Sequence, residues 1–233
     1  MHNTFLAVII ALGLITGGAF IGNGLERFRM ADRSIVIKGL AEQSVDSDYV
    51  TWPLTVRRAG DSFLSVQKSL ATDRDKLVEF LHGLGFTSSE MEIRPLFVTD
   101  AYSREYASSN SPTRYSGSAL VIVNSARVAA VAAAALATDP LIAAGVQLDL
   151  GTGPSYALRA FNDAKAPLLK AATENARAQA IKFANESGAS LGGLKSANQG
   201  IIQISGTSGN PYDSASSREK RLRVVSTFEY YLQ

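Results

Sequence analysis

The stretch RSIVIKGLAEQSVDSDYVTWPLTV, residues 33–56, decides how the chain is read. It holds two runs in which apolar and polar side chains alternate, separated by a carboxylate-rich bend at Asp46, Ser47 and Asp48. A period of two marks a strand with one face in a core and the other in water. Residues 34–41 read as a first strand with Ile35 and Ile37 on one face, and residues 45–58 as a second in which Val50, Trp52, Leu54 and Val56 share a face. The expectation is a hairpin-like start to a sheet, with Trp52 in the core and the two aspartates as bend chemistry. Pro53 has no N–H to give to a ladder, which predicts a sheet edge or a local irregularity there.

Working outward, Asp61 or Ser62 is suited to cap a helix whose apolar positions are Phe63, Val66, Leu70, Leu77, Leu81 and Leu84, with Gly83 and Gly85 at its end. Residues 91–99 read as a strand, 102–113 as a Ser-rich loop and 115–124 as an apolar strand. Ser125 then heads an alanine-rich helix that stops at Asp139-Pro140. The second half follows the same order. A strand spans 146–158 and includes Pro154, and a long helix runs over about 162–187 with Pro167 in its early turns and Gly188 beyond its end. Then come a strand at 195–204, a Ser/Gly/Asn loop at 205–217, and a closing strand at 221–232 with Leu222, Val224, Phe228, Tyr230 and Leu232 on one face. The fold class is therefore α+β: duplicated strand-helix-strand-strand units forming antiparallel sheets with helices packed on one face.

The chain has 233 residues and a formal net charge of +2, from 23 Lys and Arg against 21 Asp and Glu, so no basic face is expected to recruit nucleic acid. With no cysteine, disulfides, thiolate nucleophiles and Cys-ligated metals are excluded together. Residues 5–21, FLAVIIALGLITGGAFI, carry no charge and end at a polar stretch. This run exceeds the signal-peptide core of about 7 to 15 residues, and its best cleavage point, before Leu25, is poor. Residues 1–30 thus read as a signal anchor or transmembrane segment and linker, with cleavage of an export signal as the alternative, and residues 31–233 as the folded domain. Arg27 and Arg29 after the run, with no Lys or Arg before it, argue by charge for a cytoplasmic domain, against the export reading.

The catalytic inventory is thin. His82 falls in the last turn of the first helix, where it complements the helix dipole. Ser65/Lys68 and Ser217/Lys220 match Ser-x-x-Lys without the supporting motifs of an acyltransferase. Gly151 to Gly153 lacks the continuation of a phosphate loop, and Asp46 and Asp48 lack that of a calcium loop. Asn185 opens a formal glycosylation triplet at a helix end. No catalytic, cofactor-binding or metal residues are assigned, and no cofactor is expected.

Three segments in order carry a family resemblance: RSIVIKGLAEQSVDSDYVTWPL, YALRAFNDAKAPLLKAATENARAQAIKFANESGASLGGLKSANQG and KRLRVVSTFEYYL. Together they resemble the SIMPL (DUF541) domain family, of the 26 kDa periplasmic immunogenic protein type. The resemblance implies an exported bacterial envelope protein, loosely tied to stress responses, with no established enzymatic activity and no agreed catalytic residues. The expected activity is interaction or self-assembly at the inner membrane with the domain in the periplasm, the partners being a homo-oligomer, the membrane through the N-terminal segment, or an unknown envelope protein. The strand edges at Pro53 and Pro154 and the alanine-rich helix are the expected contacts. The alternative is a soluble periplasmic binding module with the loops at 103–112 and 206–217 as its rim.

Overall fold

A computed structural model describes residues 13, 15–18, 20, 21, 33–103, 112–149, 151, 153–207 and 214–233. The chain forms two compact units, one of Met1–Gln43, Asp163–Gln203 and Leu222–Gln233, the other of Ser44–Asn162 and Ile204–Arg221.

The second unit is built around strand β2 (Tyr49–Gly60) and strand β5 (Tyr115–Ser125), which run antiparallel in unbroken register from Val50 opposite Ser125 to Gly60 opposite Tyr115. Strands β3 (Met91–Ile93) and β4 (Phe97–Asp100) pair with the far edge of β5. Strands β6 (Leu148–Asp149) and β7 (Ser155–Ala157) pair with the far edge of β2. The expected strand over 91–99 is two short ones because Pro95 interrupts it. The period-two reading of β2 holds, with Val50, Trp52, Leu54 and Val56 all buried. They meet Ala119, Val121 and Val123 of β5 and a stripe from helix α1 (Phe63–Gly83), namely Val66, Leu70, Leu77 and Leu81. Phe63 and Leu84 of the expected stripe lie exposed at the helix ends. Beyond α1, Gly85 takes φ 83°, which lets the Phe86 N–H reach the Leu81 carbonyl at 3.1 Å and tucks the Phe86 ring into the core. The alanine-rich segment gives helix α2 (Val128–Ala135) and helix α3 (Asp139–Ala143), with Pro140 in the first turn of α3.

Two ionic ties fix this unit. Asp73, on the buried stripe of α1, receives Arg58 Nε at 2.5 Å, while Arg58 Nη2 donates to the Gly145 carbonyl at 2.5 Å. At the mouth of β5, Glu90 accepts from Arg127 at 3.0 and 2.7 Å, from Ser125 Oγ at 2.6 Å and from the Thr87 N–H at 3.0 Å. The Arg127 bonds, then those of Ser125 and Thr87, hold the Glu90 carboxyl down at about 2. A carboxyl depressed on folding stabilises fully above its unfolded range and loses that contribution as pH falls through its folded value. Chemical denaturation between about pH 5 and 2 should thus show Glu90 supplying about 1–2 kcal/mol, discounted for solvent screening. Glu90→Gln removes that part of the pH slope, and an unchanged slope refutes the assignment.

In the four-stranded sheet, most of which belongs to the first unit, strand β1 (Ser34–Asp46), strand β8 (Leu191–Asn198) and strand β9 (Ile202–Gly206) all pair with strand β10 (Glu219–Leu232). The long helix α4 (Phe161–Glu186) lies on this sheet through Ala172, Ala176, Ala180 and Ala184, one small residue per turn and all fully buried. The small side chains let β1 come so close that a Cβ on Gly39 would collide with the Ala172 carbonyl oxygen and lie 2.8 Å from Ala176 Cβ. Ile35, Phe228 and Tyr230 complete this core, the two rings stacked at 6.4 Å. The end of α4 at Gly188, φ 72°, is as expected.

The duplicated order is visible in the pairing. In each half a helix leads into two strands, β3 and β4 or β8 and β9, which both pair with the next long strand. The hairpin expectation is corrected, because β1 joins β10 while β2 joins β5. A two-residue hairpin needs a positive φ at its centre, and Ser47 and Asp48 have none. Asp48 instead accepts the backbone N–H groups of Arg159 and Ala160, both at 2.6 Å. The edge expectation for Pro53 is corrected as well. β2 has neighbours on both sides, and Pro53 falls in the gap between residues 49–51, paired with β7, and 55–56, paired with β6.

Candidate functional site

Helix α1 covers one face of the six-stranded sheet, and the opposite face carries a groove of about 590 Å³. Register builds it. Phe97 of β4, Ser118 of β5 and Arg57 of β2 form one row across three strands, and Thr99, Ser116 and Ala59 form the next. Small side chains on the middle strand thus lie between a ring on one side and a guanidinium on the other. Thr55 and Gln147 complete the lining. Arg57 is held by Asp149 at 2.7 Å, and its own N–H donates to the Gln147 carbonyl at 3.1 Å. The hydroxyls of Thr55, Thr99, Ser116 and Ser118 hold no partner among the described residues, and the Phe97 side chain stands 64% exposed.

The four-stranded sheet also has an open face, opposite α4. Val36 and Leu40 of β1 and Val225 and Tyr231 of β10 are exposed on it. Two ion pairs lie on it, Arg223 with Glu42 at 3.3 Å and Lys195 with Glu229 at 3.1 Å, and Lys38 and Arg221 are exposed on the same face. Ser34 and Ser196 also donate to Glu229, and these bonds, with the lysine, hold its carboxyl below the usual range. At the strand edge, Asn175 of α4 accepts the Leu40 N–H at 3.2 Å, closing part of the ladder that β1 would otherwise offer.

Against protein-family models, residues 35–227 match SIMPL, described as a protein of unknown function (DUF541). The chain belongs to the SIMPL family. The match takes in all of the six-stranded sheet and nearly all of the four-stranded one, so the groove and the open face are both features of the SIMPL domain. The comparison with curated proteins returns no match. The apolar run at residues 5–21 precedes the matched region and falls mostly outside the described residues. Among those described, no helix is long and apolar enough to cross a membrane.

The SIMPL domain scatters the residues that the sequence singled out. Ser65 and Lys68 lie exposed on α1. Ser217 Oγ donates to the Glu219 carbonyl at 2.7 Å, while the buried Lys220 ammonium donates to the Ser214 carbonyl, so the hydroxyl proton is directed to a carbonyl. His82 Nδ1 lies 3.0 Å from the Phe86 carbonyl and so donates to it, a role in closing the helix end. Gly151 donates to Asp149 Oδ1 at 3.2 Å in a local turn. Asp46 is exposed. Burial raises the Asp48 carboxyl, but the N–H groups of Arg159 and Ala160 lower it further, below its ordinary value. Most of the two polar loops, residues 104–111 and 208–213, lies outside the described residues. None of the groove residues had been singled out, since each looks in sequence like an ordinary outward-facing strand residue.

Proposed function

We propose that this SIMPL protein is an exported bacterial envelope protein, held at the inner membrane by residues 5–21, that acts without covalent chemistry by self-association through the open face of its four-stranded sheet. The observation that carries the reading is the set of exposed apolar side chains on that face, Val36, Leu40, Val225 and Tyr231. Exposed apolar clusters rimmed by polar groups mark interaction sites. The periplasmic location and a link to stress responses are supported by the apolar segment and by family resemblance. Contacts at Pro53 and in α2 are not part of the proposal, because Pro53 lies within an interior strand and α2 buries Val128, Val131 and Ala134.

Multi-angle light scattering in mild detergent tests the reading, on the full chain beside a version starting at Ala31. A defined oligomer is expected in both. Leu40→Asp combined with Val225→Asp, at exposed positions where folding tolerates change, should shift the mass to the monomer. A monomer in the unsubstituted proteins, or an oligomer indifferent to the double substitution, overturns it. A second reading, a binding module, is favoured by the groove on the six-stranded sheet.

A further inference from the structure

We infer that the groove bounded by Phe97 and Arg57 is a binding site for a neutral saccharide. The inference rests on the binding-module reading and is independent of self-association. Neighbouring strands lie about 4.8 Å apart, so side chains two strands apart flank a trough roughly 9–10 Å wide. Ser116 and Ser118, on the strand between, leave its floor low and lined with hydroxyls. That is the shape for a flat six-membered ring lying along the strands.

Three further observations narrow the chemistry. Phe97 keeps 64% of its surface in water, in the row that forms one wall of the trough. An exposed ring of this kind gains by covering the apolar C–H face of a flat ligand. The Thr55, Thr99, Ser116 and Ser118 hydroxyls, partnerless among the described residues, each donate and accept. A sugar presents alternating O–H donors and oxygen acceptors to such a set, whereas a carboxylate can only accept. Finally, the charge of Arg57 is met by Asp149 at 2.7 Å and that of neighbouring Arg58 by Asp73 at 2.5 Å. The groove therefore holds no surplus positive charge for an anion. Asp149, on β6 at the side of β2 away from β5, holds the guanidinium at the rim of the groove.

The test is saturation-transfer NMR and calorimetry on the full chain with maltose, cellobiose and N,N′-diacetylchitobiose, and inorganic phosphate as the anionic comparison. At least one disaccharide should bind with a Kd on the order of 1 mM. Phe97→Ala should weaken it about tenfold or more, while Phe97→Tyr retains it. Thr99→Val, which swaps a hydroxyl for a methyl of the same shape, should weaken it several-fold without altering the thermal transition. No binding by any of the three sugars at roughly ten times that concentration overturns the proposal. So does sugar binding indifferent to both Phe97→Ala and Thr99→Val, or phosphate displacing the sugar.

Discussion

Replacing Gly39 with alanine is expected to destabilise the protein by about 3 kcal/mol, the upper part of the range for overpacking a well-filled core. The added Cβ meets the Ala172 carbonyl oxygen and lies 2.8 Å from Ala176 Cβ. Neither neighbour is the mobile end of a long side chain. Relief requires β1 and α4 to separate along a stripe whose alanines are fully buried because the two elements touch. In a chain of this length such a loss lowers the thermal midpoint by about 6–12 °C. Gly193→Ala is the control, since nothing lies within 4 Å of a Cβ there and the change should stay within about 0.5 kcal/mol. Equal effects from the two substitutions in thermal melts would refute the close-packing account of Gly39.

The second large effect concerns the ion pair beneath β2. Arg58→Leu strands Asp73, whose side chain is 4% exposed, as an uncompensated carboxylate on the buried face of α1. Breaking a buried pair by removing one partner costs about 3–5 kcal/mol. The lower end is expected because Arg58 itself is 26% exposed and water reaches the site. Asp73→Leu alone should cost less, since the more exposed guanidinium can turn toward solvent and keeps its bond to the Gly145 carbonyl. The double variant should recover most of the loss, because an apolar pair removes the desolvation of both charges. Urea titration of the four proteins decides the matter, and additive single effects would show that the two residues do not act as a pair.

These two cases also show what a linear chain discloses. The alternation at Val50, Trp52, Leu54 and Val56 and the spacing of α1 and α4 are local patterns of burial. They were legible because a core face imposes its period on every residue along it. Partner choice is a different kind of information. Nothing near residue 47 says that β1 belongs beside β10, because the deciding contacts lie nearly the whole chain away. Pro53 pointed to an edge or a local irregularity, and it is the irregularity that the structure holds, in a gap set by where β6 and β7 stop. Asp73 did leave a trace as a charge at a core position of the α1 stripe, three residues after Leu70 and four before Leu77. Its partner Arg58 could not be named from spacing alone. The groove is harder still, since it takes two or three outward residues from each of three strands, and no single strand carries its pattern.

The pairing of β1 with β10 has a consequence for how the protein is made. The strand at residues 219–232 is bonded to β1, β8 and β9, so the four-stranded sheet lacks its centre until that stretch has been synthesised. Closing such a long loop is slow. A nascent chain that ends before Glu219 has α4 with its alanine stripe but no completed surface to lay it on. It therefore stays unfolded over that region until the last strand has been made.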